Sequence, residues 1–98
     1  MRVGEIRERL LRERTMALDT RDPLAIRRAG DRYKTVTAAL AQYEANAEID
    51  PAQLTLSLRD SAKSLGHTVR EVRQLAFERQ LPSRRVDNEL RIPLSSLL

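Results

Sequence analysis

The sequence predicts a mostly α-helical protein, with a helical N-terminal half and a C-terminal half that holds two short helices and a two-stranded hairpin. Three observations predict this class. Apolar residues recur at alternating spacings of three and four from Ile26 to Ala47, two capped segments flank Gly66, and residues 84–92 place apolar residues on either side of an Asp-Asn turn. The chain changes character near Asp50, so we expect one structural unit on each side.

Composition excludes several classes of chemistry. The chain has 98 residues with no Cys and one His, His67. Without Cys there are no disulfides, thiolate metal ligands or cysteine nucleophile, and a single His leaves no zinc cluster. No Gly-rich phosphate loop or recognisable catalytic Ser or carboxylate pair is present. We therefore expect a binding protein, not an enzyme, with no metal and no cofactor.

The sequence also argues against a membrane or secreted protein. Its longest apolar run, Ala38 to Ala41, is far shorter than the ~20 residues of a membrane span. The first residues are charged and contain no apolar signal-peptide core. We expect a cytoplasmic protein with no membrane partner.

The basic residues are unusual in kind and in distribution. The net charge is +4, and 16 of the 18 basic residues are Arg. A guanidinium fork suits phosphate and guanine edges, although a GC-rich genome would also favour Arg. Residues 1–50 have a net charge of +1 and residues 51–98 a net charge of +3. Charge therefore suggests a nucleic-acid partner for the second half without establishing it.

Residues 1–50 are expected to form a helical hairpin or a long-helix arm. Asp22-Pro23 is typical of a helix start, and the heptad spacing that follows predicts a helix over 23–48 with one continuous apolar seam. This seam can fold back on the first helix, pair with a second copy as a coiled coil, or dock on the second half. A two-helix hairpin has little core, which favours dimerisation or docking. The seam residues are Ile26, Tyr33, Val36, Leu40 and Tyr43.

Residues 51–98 contain two short helices and a hairpin. Ser57 is the expected N-cap of the first helix, and Gly66 is the residue best suited to end it. A capping box at Thr68-Val69-Arg70-Glu71 opens the second helix, 68–79. Two capped helices with a tight Gly turn between them have helix-turn-helix spacing. The hairpin over 84–92, with its turn at Asp87-Asn88 and Val86, Leu90 and Ile92 on one face, would cover the helices as a wing.

In these motifs the sequence resembles the MerR-like and phage-excisionase winged helix-turn-helix DNA-binding domains over residues 54–98. The family pattern is a short leading segment, an Ala-containing helix, Leu-Gly, a Val-rich recognition helix, Leu-Pro, and a basic wing ending in Arg-x-Ile-Pro. Two positions depart from it, because Arg79-Gln80 stands where the family has Gly and Asp87-Asn88 replaces a Gly-Gly wing tip. The matching residues are Ser57-Leu58 with Ala62, Leu65-Gly66, Val72-Arg73-Gln74-Leu75, Leu81-Pro82, Arg85-Val86 and Arg91-Ile92-Pro93.

The resemblance implies sequence-specific binding of double-stranded DNA by a bacterial or phage-encoded, nucleoid-associated protein. It would be a transcriptional regulator or an excisionase-like directionality factor, acting as a homodimer or cooperative oligomer. Helix 68–79 would read the major groove and wing 84–92 the backbone or minor groove. The alternative is a protein-interaction adaptor that works through helix 23–48. The candidate DNA-binding residues are Thr68, Arg70, Arg73, Gln74, Arg84, Arg85, Asn88 and Arg91; His67 is a further candidate for phosphate, and Phe77, off the buried stripe, either packs under the wing or is exposed.

Overall fold

The structure, a computed structural model, describes residues 1–98 and contains four α-helices and one three-stranded antiparallel sheet. The chain divides into two compact units, Met1–Ile49 and Asp50–Leu98. Helix is the main secondary structure, so the predicted mostly helical class is confirmed. The elements are α1 (Val3–Thr20), α2 (Pro23–Ala39), β1 (Thr55–Ser57), α3 (Leu58–Leu65), α4 (Val69–Phe77), β2 (Arg84–Val86), β3 (Glu89–Pro93) and a 3-10 turn (Leu94–Ser96).

The first unit is a helical hairpin, which is one of the two arrangements expected for it. Arg21 adopts a left-handed conformation (φ 57°) and ends α1. The Asp22 side chain then accepts a hydrogen bond of 3.0 Å from the Leu24 N–H and, with Pro23 in the first turn, starts α2. The two helices pack along an apolar strip whose members are at most 1% exposed: Val3, Ile6, Leu10, Val36 and Leu40.

The predicted helix 23–48 is wrong in its second half, since α2 ends at Ala39. The chain then crosses the start of α1, where the N–H groups of Val3 and Gly4 donate to the carbonyls of Ala47 (3.0 Å) and Ala45 (2.7 Å). The first N–H groups of a helix have no partner within the helix, and Arg2 supplies no side-chain cap. A helix continued through Ala45 would leave these donors of α1 unsatisfied.

The seam is consequently not one exposed stripe. Val36 and Leu40 are completely buried within the α1–α2 hairpin, and so they cannot form an interface with another molecule. Ile26, Tyr33 and Tyr43 are half-buried, and Tyr43 lies beyond the end of α2. The heptad spacing correctly marked a packing surface, but this surface packs on α1 because α1 is the neighbouring apolar strip in the chain.

In the second unit, α3 and α4 have the caps that the sequence predicts. Ser57 accepts a hydrogen bond from the Asp60 N–H (3.1 Å), and Gly66 ends α3 in the left-handed region (φ 69°). Thr68 and Glu71 form a complete capping box at the start of α4. Helix 68–79 was predicted too long, since α4 stops at Phe77. Two residues later, Arg79 takes the left-handed conformation (φ 60°), at the position where the family that the sequence resembles has Gly.

The sheet has one strand more than the predicted two-stranded wing. β3 lies in the centre and pairs with β2 on one side and β1 on the other. β1 is only three residues long, too short for the alternation that identifies a strand from sequence. Leu56 pairs with Ile92, and both side chains are buried.

The hairpin turn is confirmed, but the predicted face is wrong. Asp87 and Asn88 have positive φ (51° and 65°), as a two-residue turn requires. Val86 pairs with Glu89, which puts it on the opposite face from Leu90 and Ile92. Arg85, the partner of Leu90, shares their face instead.

Candidate functional site

The candidate site is formed by the exposed side of α4 and the β2–β3 hairpin. Val72 and Ala76 fix the orientation of α4 because they are buried against the rest of the unit. One side of the helix then carries Arg70 and Arg73, both exposed. Neither guanidinium has a hydrogen bond or ion pair within the chain.

The other side of α4 is acidic and internally bonded. The Glu71 carboxylate accepts from the Thr68 N–H (3.0 Å) and lies 3.3 Å from Nδ1 of His67. The backbone and side-chain hydrogen bonds from Thr68, with a smaller effect of His67, lower the pKa of Glu71 below its ordinary value. Thr68 and His67 are therefore engaged in starting the helix.

Gln74, the candidate for reading adenine, is also engaged. Its Nε2 donates a hydrogen bond of 2.7 Å to Oε1 of Glu78 one turn later. Both residues are exposed, so the contact is on the surface and exchanges readily with water. A shallow concavity of 450 Å³ is lined by Arg70 and Gln74 together with His67, Glu71 and Leu75.

The four candidate residues of the hairpin separate into two pairs. Arg84 donates to Oε1 of Gln53 and to the Ala52 carbonyl, both at 2.9 Å. Arg91 donates from Nε to Oγ1 of Thr55 (2.9 Å) and from Nη2 to its carbonyl (3.0 Å). Arg84 thus joins the hairpin to the segment before β1, and Arg91 joins it to the first residue of β1.

The second pair, Arg85 and Asn88, faces a groove between α4 and the hairpin. The groove has a volume of 710 Å³, and Arg73 and Arg85 line it from its two sides. The Arg85 guanidinium has no partner in the chain. The structure thus brings Arg73, Arg85 and Asn88 together, and it directs Arg84 and Arg91 into contacts within the unit.

The sequence analysis missed one residue of this groove and left the position of another, buried or exposed, undecided. Arg59, exposed and unpaired at the start of α3, lines the groove, as does Phe77, which is 83% exposed. Phe77 had a detectable signal, because it stands off the buried stripe of α4. Arg59 had none, since its proximity to Arg73 and Arg85 depends on how α3, α4 and the hairpin pack.

Two further features concern membranes and metal ions. No helix combines the length and the apolar character that a bilayer span needs. No group of three or more His, Asp or Glu side chains is placed where it could hold a metal ion.

Comparisons with known proteins identify no relative from which a role could be carried over. No protein-family model matches the chain, and no curated protein or solved structure is significantly similar to it.

Proposed function

We propose that residues 50–98 form a winged helix-turn-helix domain that binds double-stranded DNA sequence-specifically. In this proposal, α3, the turn at Gly66 and α4 are the helix-turn-helix, and the β2–β3 hairpin is the wing. The protein would act as a transcriptional regulator or as an excisionase-like directionality factor. The helix order, the left-handed glycine turn and the hairpin after the second helix support this assignment.

One observation carries the proposal. Within this unit, five exposed Arg side chains have no partner in the chain. Three of them line one groove, and Arg70 lies beside it on α4. Unpaired guanidiniums that line or border one groove, as four of the five do, suit the phosphates and guanine edges of DNA. The five residues are Arg59, Arg70, Arg73, Arg79 and Arg85.

The mechanism follows from the placement of α4. A recognition helix enters the major groove with its N-terminal residues against base edges, which here means Arg70, Arg73 and Gln74. Gln74 must release Glu78 to contact adenine. The hairpin, through Arg85 and Asn88, would contact the backbone or the minor groove.

The test is a titration of the full chain against labelled duplex DNA over a series of salt concentrations. Wild type should bind more weakly as salt rises, and Arg70→Ala/Arg73→Ala should bind more weakly than wild type at every salt concentration. The matched control is Arg27→Ala/Arg28→Ala, which removes the same charge from exposed positions of α2. No binding by wild type at low salt, or equal losses in both variants, would contradict the proposal.

Assembly into dimers or cooperative arrays is part of the same proposal, because one recognition helix contacts few base pairs. Val36 and Leu40 are buried, so an interface formed by the first unit would have to use exposed apolar residues. Leu11 and Leu18 of α1 are 51% and 54% exposed, with Leu24 of α2 at 53%. The exposure of these same residues also favours a second candidate function, an adaptor that binds another protein. An adaptor would bind its partner without any affinity for DNA.

A further inference from the structure

Phe77 is the most exposed of the large apolar side chains. It is the only Phe in the chain, the last residue of α4, and 83% exposed. Arg73 is one helical turn before it, so both side chains project from the same side of α4. Both line the 710 Å³ groove.

Cationic side chains from three separate elements line this groove. Arg59 comes from α3, Arg73 from α4 and Arg85 from β2, and none of them has a partner within the chain. The one acidic lining residue, Glu89, forms an ion pair of 3.7 Å with Arg91. The walls between the charges are largely apolar and are contributed by Leu58, Val69, Ala76, Phe77 and Leu90.

We propose that this groove holds the sugar–phosphate backbone of one DNA strand, an inference that rests on the proposed function. Arg59, Arg73 and Arg85 bind successive phosphates, and Phe77 packs against a deoxyribose between them. The backbone carries both anionic phosphates and less polar sugars, and this matches a groove lined by both guanidiniums and apolar side chains. Bidentate hydrogen bonding gives guanidinium groups geometric specificity for phosphate.

This placement revises one role in the proposed function, since it assigns Arg73 to the backbone and leaves base reading to Arg70 and Gln74. Arg73 lines the groove and binds backbone, whereas Arg70 lies in the concavity with Gln74 and is left to read bases. Loss of Arg73 then weakens binding to all sequences alike. Loss of Arg70 weakens binding to the preferred sequence more than to others.

The experiment compares Arg59→Gln and Phe77→Ala with wild type by fluorescence anisotropy, using a labelled mixed-sequence duplex and a series of KCl concentrations. Arg59→Gln should lower the slope of log affinity against log salt by about 1. Phe77→Ala should weaken binding by roughly fivefold or more, from the apolar surface that it no longer covers, without changing that slope, because the lost contact is uncharged. Arg59→Lys keeps the charge and should retain the slope.

Two control variants match the changes in chemistry at residues that do not line the groove. Lys63→Gln removes an exposed charge from the other end of α3, and Met16→Ala removes an exposed apolar side chain from α1. Both should bind as wild type does, and thermal unfolding by circular dichroism checks that every variant is folded.

The outcomes separate this inference from the proposed function. If wild type binds DNA but Arg59→Gln and Phe77→Ala bind like their controls, the groove does not hold backbone, and the proposed function stands. If wild type binds no duplex at low salt, both proposals fail. Binding of an acidic, apolar peptide to the groove, lost in Phe77→Ala, would then identify a protein partner instead.

Discussion

Arg84 and Arg85 are neighbours in sequence, and the structure predicts that replacing each by Gln has a different consequence. Arg84 donates two hydrogen bonds of 2.9 Å to Gln53 and Ala52, across the unit. Arg85 has no partner and lines the groove. The first residue therefore contributes to stability, and the second is available for DNA.

The expected magnitudes follow from these contacts. A hydrogen bond contributes about 0.5–1.5 kcal/mol, and an exposed one lies near the lower limit. Because Arg84 donates two such bonds, Arg84→Gln should lower the free energy of unfolding by about 1 kcal/mol. In a domain of this size, that lowers the midpoint of thermal unfolding by roughly 4–8 °C. Arg85→Gln should leave the midpoint unchanged and lower the salt slope of DNA binding by about 1.

Two assays on the same pair of variants test this contrast. Circular dichroism gives the unfolding midpoint, and anisotropy titrations at several KCl concentrations give the slope. Both variants lose the same charge, so overall electrostatic attraction changes equally and only position differs. A reduced midpoint for Arg85→Gln, or a slope change confined to Arg84→Gln, would refute the assignment.

Four further predictions concern stability. Leu40→Ala should cost about 2–5 kcal/mol by opening a cavity in the first unit, yet leave the mass by light scattering unchanged; a lower mass would place Leu40 in an intermolecular interface. Gly30→Ala should stabilise α2 by up to about 1 kcal/mol in urea unfolding, because nothing lies within 4 Å of the added Cβ. Arg79→Gly should raise the free energy of unfolding by about 1 kcal/mol, and with it the thermal midpoint, because glycine adopts the left-handed φ of 60° without the steric cost of a Cβ. The lowered pKa of Glu71 means that its carboxylate stabilises the fold above its ordinary pKa and loses this effect as pH falls through the lowered one. The midpoint difference between wild type and Glu71→Gln should therefore be largest at neutral pH and shrink in acid, and a constant difference would contradict this.

The candidate site could be anticipated only in part. Arg70, Arg73 and Arg85 are exposed and unpaired, as a binding role requires, and they were all identified from the sequence. The same sequence pattern predicts a DNA-binding role for Arg84 and Arg91. Their guanidiniums instead donate hydrogen bonds to Gln53, Ala52 and Thr55, between 31 and 36 residues away. Sequence spacing carries no information about which of several arginines will meet a distant acceptor.

Features that depend on contacts within a few residues could be predicted from the sequence. The N-caps at Asp22, Ser57 and Thr68 and the left-handed turn at Gly66 all bond to groups in the adjacent turn, so local chemistry was sufficient. The Asp87-Asn88 turn is equally local.

Long-range packing sets the end of α2, because the carbonyls of residues 45 and 47 accept hydrogen bonds from the start of α1. It also created β1, which is a strand only through its pairing with β3. Packing then brought Arg59 and Phe77 to the groove beside Arg73 and Arg85. Each of these outcomes depends on segments far apart in the chain, whose approach is fixed by burial of a shared core and not by local preference.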